Sequence, residues 1–207
     1  MAYNNLKKAL ISALALSATS ALYAADEKPL MSGASADMLA NTCAGCHGTH
    51  GASAGPATPS LGGISSVYFE EAMQGFQSGE IPSTIMGRIA AGYTEEEIKA
   101  MGEYFSKQPF VAAEQPFDAA LADTGAKLHD KYCEKCHADG GSSAEDDSGI
   151  LLGQLTPYLS FTLADFKAGD REMAKKMKKK VNKLMKKEGD AGFNALLNFY
   201  ARGTWNQ

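Results

Sequence analysis

Apolar residues recur at helical spacing through most of the chain, and no stretch sustains a period-two alternation, so the sequence reads as all-α. Ser35 to Thr42 predicts a helix with Met38 and Leu39 facing inward. Thr124 to Tyr132 predicts another, with Leu128 and Tyr132 four apart on one face. Thr94-Glu95-Glu96-Glu97 is a capping box that opens a helix with Ile98, Met101, Tyr104 and Phe105 on a stripe. Near the C-terminus Asp190 precedes Phe193, Leu196, Leu197 and Tyr200, spaced i, i+3, i+4, i+7. From Lys107 to Asp118, which includes Pro109 and Pro116, no period is visible, and the segment reads as a linker.

Two stretches depart from this pattern. Lys175, Lys176, Lys178, Lys179, Lys180, Lys183, Lys186 and Lys187 surround one apolar stripe of Met173, Met177, Val181, Leu184 and Met185. A solvated helix face is the simple reading; an electrostatic docking patch for an acidic redox partner is the other. At the N-terminus, Lys7 and Lys8 precede an apolar run from Ala9 to Ala21 and a small-residue exit at Leu22-Tyr23-Ala24-Ala25. That is the form of a cleavable export signal, residues 1–24. The run is too short and too rich in Ser and Thr for a membrane span, so no stable membrane insertion is expected, and the mature chain is assigned to the periplasm. Losing the signal takes the net charge from −4 to −6, which gives no footing for nucleic acid.

The chemistry lies in two copies of Cys-x-x-Cys-His, Cys43 to His47 and Cys133 to His137, which together hold all four cysteines of the 207-residue chain. This pentad is the attachment signal of a c-type haem. Each thiol adds across one vinyl group, and the adjacent imidazole points at the iron. Sliding the chain by 90 positions also places Leu61, Gly63, Tyr68, Phe76 and Gly79 on Leu151, Gly153, Tyr158, Phe166 and Gly169. That register implies a duplicated domain: residues 25–107 and 119–207, joined by a linker at 108–118. Two small domains build limited apolar cores alone, so two covalently attached haem c groups are expected to complete them.

Methionine opposite histidine keeps a haem iron six-coordinate and raises its potential, as suits a carrier. Met86 lies 39 residues after His47. Met177 lies 40 after His137 and keeps the register with one insertion; Met173, at 36, does not, although it shares a helical face with Met177. Met38, Met73, Met101 and Met185 read as core filling. His50 and His129 read as surface or propionate-side residues. A proximal histidine normally gives its second ring N–H to a backbone carbonyl. Pro59 to Gly63 is suitably placed for this, and so is its counterpart Gly149 to Gly153, where glycine replaces proline and Glu145-Asp146-Asp147 adds acidic charge. Two inequivalent haems follow. Zinc binding by the two Cys pairs, or a redox disulfide in each, would leave both histidines and the recurring methionines unexplained.

Three segments, Asn41 to Gly51, Gly79 to Ala90 and Ala120 to His137, resemble the dihaem cytochrome subunits of flavocytochrome c sulfide dehydrogenases. The resemblance covers nearly the whole mature chain. It implies two tandem class I cytochrome c domains, with Cys43, Cys46, His47 and Met86 serving one haem. Cys133, Cys136, His137 and Met177 would serve the other. It also implies an FAD-containing flavoprotein partner that oxidises sulfide, and a soluble periplasmic cytochrome c as acceptor. This chain itself has no spare cysteine for sulfur and no Gly-x-Gly-x-x-Gly fingerprint for FAD, so it would be the electron-transfer subunit and not the catalytic chain. A free dihaem shuttle to an oxidase or reaction centre, and a haem enzyme with one open iron, are the competing readings.

Overall fold

The computed structural model describes residues 33–145 and 147–204, and among these every regular element is helical. The export signal at 1–24, and Asp146 of the acidic run, lie outside the described residues. None of the described helices is long and apolar enough to cross a membrane.

In the first half, α1 (Ala36–Asn41), α2 (Ala44–His47), α3 (Ser66–Ser78), α4 (Met86–Ala90) and α5 (Glu95–Ser106) follow one another. Ser35 caps α1 by accepting the Met38 N–H at 3.3 Å. The capping box opens α5 as expected: Thr94 Oγ1 accepts the Glu97 N–H at 3.2 Å, and Glu97 Oε2 accepts the Thr94 N–H at 3.0 Å. Ile98, Met101 and Phe105 of α5 are buried against α1 and α3. One expectation fails on α1. Leu39 is buried as predicted, but Met38 is 65 % exposed, because this six-residue helix packs through Leu39 and Ala40 alone.

The second half repeats the plan with α6 (Ala119–Tyr132), the short turn α7 (Ala138–Gly141), α8 (Thr156–Ala168) and α9 (Lys175–Ala201). α6 begins five residues earlier than the periodicity suggests. Asp118 caps it, accepting the Leu121 N–H at 2.9 Å, while its own N–H is taken by Asn198 Oδ1 at 2.8 Å. α9 is broken at Gly189, where φ is +63°, so 175–188 and 190–201 are separate segments that correspond to α4 and α5. α6 crosses the second segment closely. A Cβ on Gly125 would stand 2.1 Å from the Ala195 carbonyl oxygen, an approach no other residue permits. Leu128, Tyr132, Leu184, Phe193, Leu196, Phe199 and Tyr200 form the core of this half.

The duplication is visible in the loop hydrogen bonds. Leu61 N–H to Gly51 O and Leu151 N–H to Gly141 O are both 2.8 Å. Gly63 N–H to Phe105 O, 2.9 Å, repeats as Gly153 N–H to Tyr200 O, 2.8 Å. The segment between α5 and α6 contains no helix and packs on both halves: Gly63 abuts Phe110, and Ala113 N–H donates to Gly153 O at 2.8 Å. Buried Gln154 also joins the halves, since its Oε1 accepts the Ser60 N–H at 2.9 Å and its Nε2 donates to Ser60 O at 3.0 Å.

Candidate functional site

Both pentads sit at the end of a helix that the fold holds rigidly. α1 leads into Cys43 and α6 into Cys133, so each motif starts as the last turn of a packed helix. Within each motif the histidine N–H bonds back to the first cysteine's carbonyl, at 2.9 Å for His47 and 3.0 Å for His137. One helical turn therefore presents two thiols and an imidazole as a unit.

The rings are oriented by matching carbonyls. His47 Nδ1–H donates to Pro59 O at 2.8 Å and His137 Nδ1–H to Gly149 O at 3.1 Å, each twelve residues downstream. These are the two loops the sequence singles out. With Nδ1 protonated and held, Nε2 keeps the lone pair a metal needs. Burial pushes the His47 pKa down, and the Pro59 carbonyl pulls it back only in part, which also favours the neutral ligand form.

Gly149 has a reason to be glycine. A Cβ there would stand 2.9 Å from the Tyr68 hydroxyl of the first half. Tyr68 lies beside Tyr158, its equivalent in the repeat, and beside Arg171. The neighbouring Tyr158 phenol and burial hold its pKa above the ordinary value, against Arg171. Ser65 donates to Asp147 beside it. The second proximal loop is thus packed upon by the other half, so the looser loop expected from glycine is braced from outside.

The four cysteines are free thiols. Burial raises the pKa of Cys43, and raises that of Cys133 to about 11, so both are protonated near neutral pH. No group of three or more His, Cys, Asp or Glu among the described residues could hold a metal ion, and no strand adjoins either pair.

The candidate axial methionines come from other elements. Met86 is the first residue of α4 and is half-buried. Thr42 Oγ1, next to Cys43, meets the Tyr93 hydroxyl at 2.7 Å, and Gln77 Nε2 donates to the Ala90 and Tyr93 carbonyls, both at 2.9 Å. α4 is thereby fixed to both α3 and the first pentad. Met177, also half-buried, lies in the first turn of α9; Met173 precedes the cap residue Ala174 and is buried. All eight lysines of the run are exposed, and Leu184 of their apolar stripe is buried in the core.

The two spare histidines differ. His50 is exposed, with Nδ1 2.7 Å from the Tyr104 hydroxyl. His129 is not a surface residue: it is fully buried, among Tyr200, Glu134 and the His137 carbonyl. Helical spacing puts it on the inner face beside Leu128, but Tyr200, which closes on it, is 71 positions away and left no local signal. Gln154 escaped notice for the same reason, and Tyr68 stood out only as the repeat match of Tyr158.

These surroundings fit a covalently attached haem. Each pentad offers two thiols for vinyl groups and one imidazole with its metal-binding nitrogen spared. Apolar side chains stand uncovered nearby: none of Leu159, Phe161, Leu163 and Phe166 on α8 is fully buried, and Ile85 and Ile89 flank Met86 with at least 39 % exposure. A porphyrin is the kind of apolar plate such faces accept.

No protein-family model matches the chain. Over 69 residues, 33 % of its length, the chain is 49 % identical to the cytochrome subunit of sulfide dehydrogenase of Chlorobaculum tepidum, and that stretch spans 62 % of the relative. A longer match, 30 % identical over 159 residues, is to the thiosulfate dehydrogenase electron acceptor of Stutzerimonas stutzeri; it covers 72 % of this chain and 74 % of that one. Among solved structures, reduced recombinant cytochrome c4 from Pseudomonas stutzeri superposes with a TM-score of 0.67 at 24 % identity, over 80 % of this chain and 95 % of its own. A thiosulfate dehydrogenase from Marichromatium purpuratum gives 0.66 at 25 % identity, over 77 % and 36 %. Two tandem helical repeats, a haem-attachment pentad in each and these relatives place the chain in one family: it belongs to the dihaem class I cytochromes c.

Proposed function

We propose that this chain is the electron-transfer subunit of a sulfide-oxidising flavocytochrome in the periplasm. It takes electrons from an FAD-containing flavoprotein subunit and passes them to a soluble cytochrome c. The single observation that carries the two-haem reading is the repeated geometry of His47 on Pro59 O and His137 on Gly149 O. Haem c, when bound, supplies a one-electron iron couple. The protein's part is to hold that couple in place: Cys43 and Cys46, or Cys133 and Cys136, tether the group, and the histidines face one side of it.

Met86 and Met177 are the proposed ligands on the other side. The register of the second half supports Met177. α3 and α8 close alike, with Ile81 N–H on Gly75 O at 3.0 Å and Arg171 N–H on Asp165 O at 3.3 Å, so the one-residue insertion falls after Arg171. Beyond it, Met86 is the first residue of its helix, Met177 lies in the first turn of its own, and both remain half-buried. Sulfide as the partner's substrate rests on the 49 % identity to the sulfide dehydrogenase subunit. The lysine face of α9 suits contact with an acidic redox protein.

A second reading has its own support. The match to a thiosulfate dehydrogenase electron acceptor covers more of both chains, and favours a free dihaem acceptor serving a different dehydrogenase. Purification from the native source, scored for haem and flavin, separates the two. The flavocytochrome reading expects two haems per chain and one FAD in a bound second subunit. Two haems with no flavin-bearing partner favours the free acceptor.

A further inference from the structure

We propose that His129 is a positioning residue for the second haem-attachment loop, clamping both ends of the Glu134–His137 turn to the closing helix through Tyr200. The proposal rests on the reading of Cys133 to His137 as a haem site. His129 lies one turn before Cys133 on α6 and is fully buried. Its Nδ1 is 3.0 Å from the Tyr200 hydroxyl, and its Nε2 is 2.9 Å from both Glu134 Oε2 and the His137 carbonyl oxygen. The partners assign the tautomer. Nε2 faces two acceptors and so carries the hydrogen, while Nδ1 accepts the Tyr200 O–H. Burial, the largest influence on this imidazole, lowers its pKa, which favours the neutral ring.

The clamp extends past the pentad. Glu134 Oε1 accepts the Asp139 N–H and Oε2 the Gly140 N–H, each at 3.1 Å, so the chain just after His137 is tied to the same carboxylate. Tyr200 also neighbours Cys133, the first cysteine of the pentad. Four segments therefore converge on one imidazole: α6, the pentad, the turn after it and the end of α9.

The first half has no equivalent. In the 90-residue register Leu39 stands for His129 and Ala44 for Glu134; Phe105 stands for Tyr200 because its carbonyl accepts the Gly63 N–H as that of Tyr200 accepts the Gly153 N–H, and Leu39 and Phe105 are each 1 % exposed. The first pentad is held by apolar packing, the Thr42–Tyr93 hydroxyl pair beside it and a proline carbonyl, the second by a polar hub and a glycine carbonyl. Partners of a metal ligand tune its orientation and basicity, and their loss typically costs about 10- to 100-fold in affinity or activity. His129 does this through the backbone of the ligand, not by contact with the iron.

The test uses the full holoprotein and the variants His129→Leu, His129→Gln and Tyr200→Phe, the first and last matching the other half. Haem per chain, the two midpoint potentials and the rate at which exogenous imidazole displaces the axial ligand are read together. His129→Leu is expected to keep both haems, move one potential and leave the other in place. Imidazole entry at one haem only should accelerate by about tenfold or more. His129→Gln, which restores a donor toward Glu134, should recover part of the change. Should His129→Leu fail to fold, Tyr200→Phe decides, with a smaller shift confined to the same haem. Unchanged potentials and rates, or equal shifts at both haems, would overturn the clamp. A wild-type chain with a single haem would instead overturn the two-haem reading, which the stoichiometry reveals before any variant is compared.

Discussion

His47 and His137 are oriented by the same backbone device, a carbonyl twelve residues on, at 2.8 Å from Pro59 and 3.1 Å from Gly149. Behind those carbonyls the two halves differ. The first loop carries its own stiffness in Pro59 and gives its Gly63 N–H to the Phe105 carbonyl. The second has glycine because Tyr68 of the first half occupies the space a side chain would need, and its Gly153 N–H goes to the carbonyl of Tyr200, whose hydroxyl meets buried His129. Among the duplicated positions that stayed alike are those a covalent haem would require: thiols, imidazole, orienting carbonyl. The supports around them diverged because many packings can hold one backbone turn. The second site is consequently built partly from the first half, whereas its polar hub lies within its own.

The comparison breaks most severely at the axial ligands. Met86→Ala should open the first iron and Met177→Ala the second, each converting one haem from low to high spin and lowering its potential. Met173→Ala should do neither. An optical and potentiometric titration of the three variants checks this, and an effect of Met173→Ala in place of Met177→Ala would reverse the register assignment.

Next in size is the seam between the halves. Gln154 is 3 % exposed and satisfies both backbone groups of Ser60. Gln154→Leu leaves a buried N–H and C=O unpaired, a loss of about 3 kcal/mol. Denaturant unfolding followed at the haem bands measures it, and a loss below about 1 kcal/mol would mean that water or a shifted loop replaces the bridge.

Gly149→Ala sharpens the contrast between the loops. Its Cβ must displace Tyr68, at a cost of about 2 kcal/mol, and the disturbance should appear in the second haem's potential. Pro59→Gly in the first loop only adds freedom to the unfolded chain, at about 0.5–1 kcal/mol. Equal costs would argue against Tyr68 as the brace.

The smallest effect concerns how the last helix of each half starts. Thr94→Ala removes one side of a complete capping box and should cost about 1 kcal/mol. Asp190, an exposed side chain paired with Lys167 at 2.7 Å, should cost less than about 0.5 kcal/mol on replacement by alanine. Thermal unfolding of the two variants gives the order.

Much of this was legible in the residues because it is written locally. The pentads, the capping box and the orienting loops are short motifs whose geometry depends on near neighbours, and the 90-residue register turned them into two domains. Met38 was misplaced because helical spacing marks an apolar face without saying how wide a face a six-residue helix buries. His129 reads from the sequence as a surface or propionate-side residue because its burial depends on Tyr200, 71 positions away. Gln154 and Tyr68 act across the seam, on groups in the other half, where no periodicity reaches. α6 begins early because Asn198 waits at its cap, again a partner distant in sequence.

Electron paramagnetic resonance of the fully oxidised holoprotein, integrated against protein concentration, tests the central claim most directly. Two haems held by a common backbone device but unlike supports should give two low-spin ferric signals with distinct g-values, each integrating to about one spin per chain, since spin state and g-values follow axial ligation and ligand orientation. A single signal of one spin, a high-spin component, or two superimposable signals would contradict it.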